Sequence, residues 1–153
     1  MKTPDSLNDV AAFHRTFHLP VLETPQLPPP ERAALRVNLL REELQEFEEA
    51  IAAGDLVEAA DALCDLQYVL AGAVLEFGLG DKFAALFAEV QRSNMSKTCA
   101  DEAEAAATAA HYAERAQAGR IEPNGDHFLV YRNDDGKVLK SINYSPADLR
   151  SIL

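Results

Sequence analysis

The stretch REELQEFEEAIAAGDLVEAADALCDLQYVL, residues 41–70, decides how this chain folds. Its first half continues an apolar stripe that begins at Val37 and runs through Leu40, Leu44, Phe47 and Ile51. Spacings of three and four are the period of a helix with one apolar face. Gly54 supplies a left-handed stop and Asp55 an N-cap oxygen, so another helix starts almost at once. Ala59, Leu63, Leu66, Leu70, Ala73 and Phe77 then share a face until Gly78 and Gly80 end it. A break this short predicts two long helices packed antiparallel.

Working outward, Ser6 and Asp9 predict a capping box for a first helix through VAAFHRTFH, residues 10–18. The connector LPVLETPQLPPP, residues 19–30, is too rich in proline for a helix, and Pro30 suits the first turn of the next one. Beyond Asp81, the residues Phe83, Leu86, Phe87 and Val90 predict a shorter fourth helix that breaks at SNMSK, residues 93–97. Thr98 with Asp101 predicts the start of a fifth, alanine-rich helix ending before Gly119. HFLVYR (127–132) and KVLKSI (137–142) flank the turn signal NDDG and predict a β-hairpin, and Ser145-Pro146 a short terminal helix. The expected fold is all-α: a bundle of about five helices with a small C-terminal β-hairpin, forming one domain over residues 1–153.

Nearly half the residues are apolar and a quarter charged, the composition of a globular chain. No window reaches the roughly 18 apolar residues of a membrane span, so no membrane partner is expected. The opening MKTPDSLN has no apolar run and predicts no secretory leader. Cys64 lies in an apolar run and reads as a small core residue; with so few cysteines, a reducing cytoplasm is expected.

A net charge of −11 argues against a nucleic-acid polymer as partner. Eleven acids and no Lys or Arg lie between Glu42 and Asp81, so that block alone accounts for the net charge. Glu42, Glu43 and Glu46 project from neighbouring positions of the second helix. A solvated glutamate face is the plain alternative. On the third helix Glu58, Asp61 and Asp65 form one line, in a sequence apolar nearly all round, which predicts burial. A buried carboxylate needs a counter-charge, and of the two helices only Arg41, at the edge, offers one.

A hard divalent cation resolves this, because carboxylate oxygens are the ligands of Mg²⁺ and Mn²⁺. The alternatives are a capping role for Glu58 beside Asp55, and protonation of Asp61 and Asp65 or their pairing with Lys or Arg from elsewhere. None of His14, His18, His111 and His127 has a Glu three residues before it, which argues against a di-iron bundle. The acids are helical, which argues against a calcium loop.

EELQE (42–46) followed by EAAD (58–61) resembles the EExxE…ExxD signature of the all-α nucleoside triphosphate pyrophosphohydrolases. That superfamily holds MazG, the dimeric dUTPases, the dCTP pyrophosphatases and phosphoribosyl-ATP pyrophosphohydrolase. EVQRSNMSK and DGKVLKSINYSPADL are similar to the tail of a MazG-like subgroup. The resemblance implies Mg²⁺-dependent cleavage of a nucleoside triphosphate, dUTP foremost, to monophosphate and pyrophosphate. It implies metal ligation by Glu43, Glu46, Glu58 and Asp61, with Glu42 or Glu43 orienting or deprotonating the attacking water and Asp65 free for a further metal. It assigns substrate contacts to Asn94 and Lys97, among the candidate cations Lys82, Arg92, Lys97, Lys137 and Lys140. In related enzymes the base packs near the first helix, which points at Phe13, His14 and Phe17, although such a helix is more commonly core. A homodimer or a dimer of dimers is expected. Two rival functions are phosphoribosyl-ATP hydrolysis in histidine synthesis and a non-catalytic acidic bundle that binds a basic protein or divalent metal.

Overall fold

Five α-helices and one two-stranded sheet make up residues 2–153, which this computed structural model describes. They fall into two units, Met1–Phe83 and Ala84–Leu153, each described by itself. The first holds α1 (Ser6–Thr16), α2 (Pro30–Ala53), α3 (Leu56–Glu76) and a 3₁₀ turn at Gly80–Lys82. The second holds α4 (Phe83–Met95, starting at the boundary), α5 (Glu102–Ala113), β1 (Gly119–Asn124) and β2 (His127–Arg132).

The Gly54 turn forms as expected. Gly54 has φ 68°, its N–H reaches Ile51 O at 3.1 Å, and Asp55 N–H reaches Ala50 O at 3.0 Å. The Asp55 carboxylate then accepts from the N–H groups of Val57 (2.9 Å) and Glu58 (3.2 Å), capping α3. So tight a reversal fixes the register of the antiparallel pair: residues equally far from Gly54 face each other. Arg32 meets Glu76, and Arg36 packs on Gly72, where a Cβ would come within 2.6 Å of the guanidinium.

Val10 and Ala11 of α1 pack on Ala71 and Leu75 of α3, with Leu7 and Val21 alongside. The proline-rich connector crosses the end of α3, where Leu22 N–H donates to Leu75 O and Gln26 N–H to Phe77 O, both at 3.0 Å. These bonds satisfy carbonyls that a helix end leaves open. Gly78 permits the crossing: its φ is 67°, and a Cβ there would lie 2.0 Å from the Thr24 carbonyl oxygen.

Several local expectations are corrected. The capping box at Ser6 does not form: Asp5 is the N-cap residue, its carboxylate takes the Asn8 amide at 2.9 Å, and the Ser6 hydroxyl accepts from Gln67. The α2 stripe is not a closed core, since Val37, Leu44 and Ile51 are 48–60 % exposed. Two helices cover only the sides that face each other, and these apolar faces are wider than that. For the same reason Cys64 is exposed, as are Asp61 and Asp65, so the apolar run of α3, expected to be buried, is not a buried helix along its first half. Among the described residues no single helix is long and apolar enough to cross a membrane.

In the second unit α4 continues through Ser93, Asn94 and Met95 and stops only at Ser96. Asp101, not Thr98, caps α5 by accepting from Glu104 N–H at 2.7 Å, while the Thr98 hydroxyl turns back to Met95 O. The hairpin joins β1 to β2 around Gly125 and Asp126, pairing Asn124 with His127 and Gly119 with Arg132. KVLKSI is not its second strand. It returns beside β2 through the NDDG turn and makes a single bridge, Tyr131 to Val138. Pro123 hides β1 from a sequence reading, but proline is tolerated on an edge strand. Cys99, Ala105, Val130 and Leu139 form the buried core here.

The terminal helix at Ser145-Pro146 does not form either. Side chains of α4 and of Ser96 just past its end take the backbone groups of that segment: Glu89 accepts from Asp148 N–H (2.8 Å), Arg92 donates to Pro146 O (3.0 Å), and Ser96 Oγ accepts from Ser145 N–H (3.0 Å). The Arg92 guanidinium, which also donates to the Glu89 carboxylate, and then Asp148 N–H hold that carboxyl down to about 2.

Candidate active site

Glu43 and Asp65 each stand eleven residues from Gly54, so the register that joins Arg36 to Gly72 sets them opposite one another. Glu43 is half-buried. Burial pushes its carboxyl above the ordinary value, and the negative charges of Asp65, Glu46, Glu42 and Asp61 push it further, in that order. Acids of both helices therefore act on one group. Closer to the turn, Glu46, Glu49, Asp55, Glu58 and Asp61 line a cleft of about 390 Å³ with three alanines. The Glu58 side chain does not close a capping box, which leaves its carboxylate to the cleft.

Among the described residues no ion pair is formed with an acid of this cluster. Elsewhere among the described residues Arg32 and Arg36 pair with Glu76, Arg92 with Glu89, Arg120 with Glu122 and Arg132 with Asp135. Arg41 bonds the Asn38 side chain at 2.9 Å instead. Arg32 and Arg36 are cations of α2 that the sequence reading overlooked as partners, and both are taken by Glu76, which is 1 % exposed. Glu76 thus leaves the uncompensated set. Burial alone would raise its carboxyl, but hydrogen bonds and charge from Arg36 and Arg32 outweigh that and hold it below the usual range.

Among the described residues no group of three or more His, Cys, Asp and Glu is closed around a point that could hold a metal ion. Mutual repulsion spreads like charges apart when nothing neutralises them. The donor chemistry still fits a hard divalent cation: every donor is an anionic oxygen and none has a cationic partner.

Of the residues singled out from sequence, the structure brings Glu42, Glu43, Glu46 and Asp61 together, and Glu58 with Glu46 and Asp61. Asp65, set aside as a ligand for a further metal, is the strongest charged neighbour of Glu43. Its equal distance from Gly54 was the signal that could have found it. Asn94 and Lys97 belong to the second unit and hold each other, with Lys97 Nζ donating to Asn94 Oδ1 at 2.8 Å.

A second pocket of the first unit, about 270 Å³, lies between α1, α2 and α3. Phe13, Tyr68, Leu35 and Leu39 give it apolar walls, with Phe13 and Tyr68 edge to face at 5.6 Å. His14 and Arg36 close one side. His14 Nδ1 lies 2.8 Å from Pro20 O, a group that can only accept, so the proton sits on Nδ1 and Nε2 faces Arg36 as an acceptor. Phe17 is 60 % exposed and lies outside that lining.

The class of this helical unit is given by its sequence: it is an all-α pyrophosphohydrolase. The sequence profile of the phosphoribosyl-ATP pyrophosphohydrolase family matches residues 10–94, over half of the chain, and the protein belongs to that family within the MazG-like superfamily. It is a hydrolase of phosphoanhydride bonds, which sets aside the non-catalytic acidic bundle. The matched segment contains every acid of the cleft and Asn94, and ends before Lys97. A search of the curated proteins returned no match.

Proposed function

We propose that this protein hydrolyses a nucleoside triphosphate, dUTP foremost, to the monophosphate and pyrophosphate. The observation that carries the reading is that acids of both α2 and α3 act on Glu43, with no ion pair to any of them among the described residues. Mg²⁺, or Mn²⁺ in its place, would be held by Glu43, Glu46, Glu58 and Asp61 with Asp65 beside them, and would neutralise the triphosphate and acidify bound water. Glu42 or Glu43 would orient that water and take its proton. The base is assigned to the pocket beside α1, where Phe13 and Tyr68 offer ring faces and edges. Arg36, which lines that pocket, has a buried Nε–H without an acceptor among the described residues, a donor that a base carbonyl would satisfy. Asn94 and Lys97 are assigned to the substrate by the resemblance described above.

The preference for dUTP rests on that resemblance, and the family profile supports phosphoribosyl-ATP equally. A nucleotide panel with liberated pyrophosphate measured for each separates the two. EDTA should abolish release and Mg²⁺ or Mn²⁺ restore it. Mg²⁺ should also raise the melting temperature without substrate, because it binds the folded state alone. Full turnover in chelator, with no metal-dependent thermal shift, would sink the reading.

The exposed apolar faces of α2 and α3 support a homodimer or a dimer of dimers. Val37, Leu44, Ile51 and Leu63 are each about half exposed in the single chain, and contiguous apolar surface of this kind marks an interface. Sedimentation at micromolar concentration should give two or four copies, and Leu44→Glu should lower that number. A monomeric wild type would exclude this assembly.

A further inference from the structure

We propose that Glu76 and Gly72 are positioning residues for base recognition: between them they hold the Arg36 guanidinium so that its Nε–H is kept for the substrate. This role rests on the assignment of the base to the pocket beside α1. Neither residue lines that pocket, so both act through Arg36, which does.

One carboxylate holds two arginines in two different ways. Glu76 takes Arg32 side-on, from Nε at 3.1 Å and from Nη2, the paired geometry common between a guanidinium and a carboxylate. It takes Arg36 end-on, through Nη2 alone. The Arg36 Nε–H is left over, buried and without an acceptor among the described residues. Folded chains rarely abandon a buried donor, because it has lost its hydration without a replacement. An ion pair that served stability alone would close on Arg36 as it closes on Arg32. The Arg36 side chain is 7 % exposed and lines a pocket walled largely by apolar groups. A base carbonyl or ring nitrogen entering there meets a donor already held in place.

Gly72 and His14 fix the rest of the guanidinium. A Cβ at position 72 would come within 2.6 Å of Arg36 Nη1 and 3.0 Å of His14 Nε2. A glycine inside a helix weakens it relative to alanine, and α3 carries this one where the guanidinium needs the room. On another side Arg36 Nη2 lies 3.4 Å from His14 Nε2, and His14 Nδ1 is tied to Pro20 O at 2.8 Å. Carboxylate, imidazole and bare backbone surround the group and leave it little freedom to turn. Fixing a donor before the ligand arrives lowers the ordering cost of binding.

The test is calorimetric titration of the full chain with α,β-imido-dUTP and Mg²⁺, beside inorganic triphosphate and Mg²⁺, which carries no base. Arg36→Lys keeps a cation for Glu76 but has no Nε–H. Gly72→Ala removes no polar atom and displaces the guanidinium. Glu76→Asp keeps the charge and draws the carboxylate back. Each should weaken imido-nucleotide binding by about tenfold or more, the scale of one hydrogen bond from a charged donor, and leave triphosphate binding unchanged. The KM for dUTP should rise in parallel, with kcat nearly constant. Circular dichroism confirms that each variant is folded. Equal losses for both ligands would mean a loosened fold and overturn the proposal. So would imido-nucleotide binding that the wild type lacks or that Arg36→Lys and Gly72→Ala retain. Selective loss in a chain that turns over no nucleotide would reject the reaction and keep the positioning role. Normal turnover with KM untouched by those two variants would do the reverse.

Discussion

Glu46→Gln and Asp61→Asn should each lower kcat/KM for the nucleotide at least a thousandfold, with helical content unchanged. A thousandfold is about 4 kcal/mol of barrier at 1.36 kcal/mol per decade, the several kcal/mol that metal-assisted charge stabilisation contributes. These two residues are chosen because they belong to both groupings: each raises the Glu43 carboxyl, and each lines the cleft near the turn. Both substitutions keep the shape of the side chain and remove one negative charge. If the cluster exists to receive a cation, losing a charge weakens that cation and the triphosphate it gathers.

Stability should move the other way. In EDTA the acids repel, as the raised Glu43 carboxyl records, so each variant should melt at or above the wild-type temperature. The thermal shift produced by Mg²⁺ should shrink or vanish. Glu48→Gln removes the same charge from an exposed position that neither lines the cleft nor acts on Glu43, and its activity should match wild type. Equal losses in Glu48→Gln and Glu46→Gln would mean that net charge, not placement, governs turnover.

What could be read in advance was whatever a few neighbouring residues determine. Gly54 and Asp55 announce a reversal because one must adopt positive φ and the other must cap, and both act within four residues. Once the turn is placed, the pairing of Glu43 with Asp65 follows from counting. The misplaced caps at Ser6 and Thr98 are shifts of a few residues, whereas the larger misreadings involve distant partners. Glu76 looked uncompensated because its arginines lie 40 and 44 residues upstream. The terminal segment looked helical because nothing local shows that Glu89, Arg92 and Ser96 take its backbone groups. The apolar stripe of α2 was read correctly as a stripe, but periodicity does not say whether one neighbouring helix is wide enough to cover it.

Glu76→Gln should destabilise the fold by about 3–5 kcal/mol, the cost of breaking a buried ion pair from one side. The carboxylate takes both guanidinium groups, from Arg32 Nε at 3.1 Å and from the Nη2 atoms of Arg32 and Arg36, and it is 1 % exposed. Gln retains one acceptor and leaves two arginines without a counter-charge. Arg36→Met should cost more than Arg32→Met, because the Arg36 side chain is 7 % exposed against 29 % for Arg32, where water replaces part of the lost contact. The pH dependence has a fixed sign. The Glu76 carboxyl is depressed in the folded chain, so its contribution is complete above the ordinary glutamate value near 4.3 and is lost as pH falls through the folded value. Urea midpoints at fixed protein concentration, compared at pH 7 and at pH 3, read both effects. The gap between wild type and Glu76→Gln should be wide at pH 7 and narrower at pH 3. A gap that stays constant would mean the buried carboxylate contributes through shape alone and that its charge does not hold the two arginines.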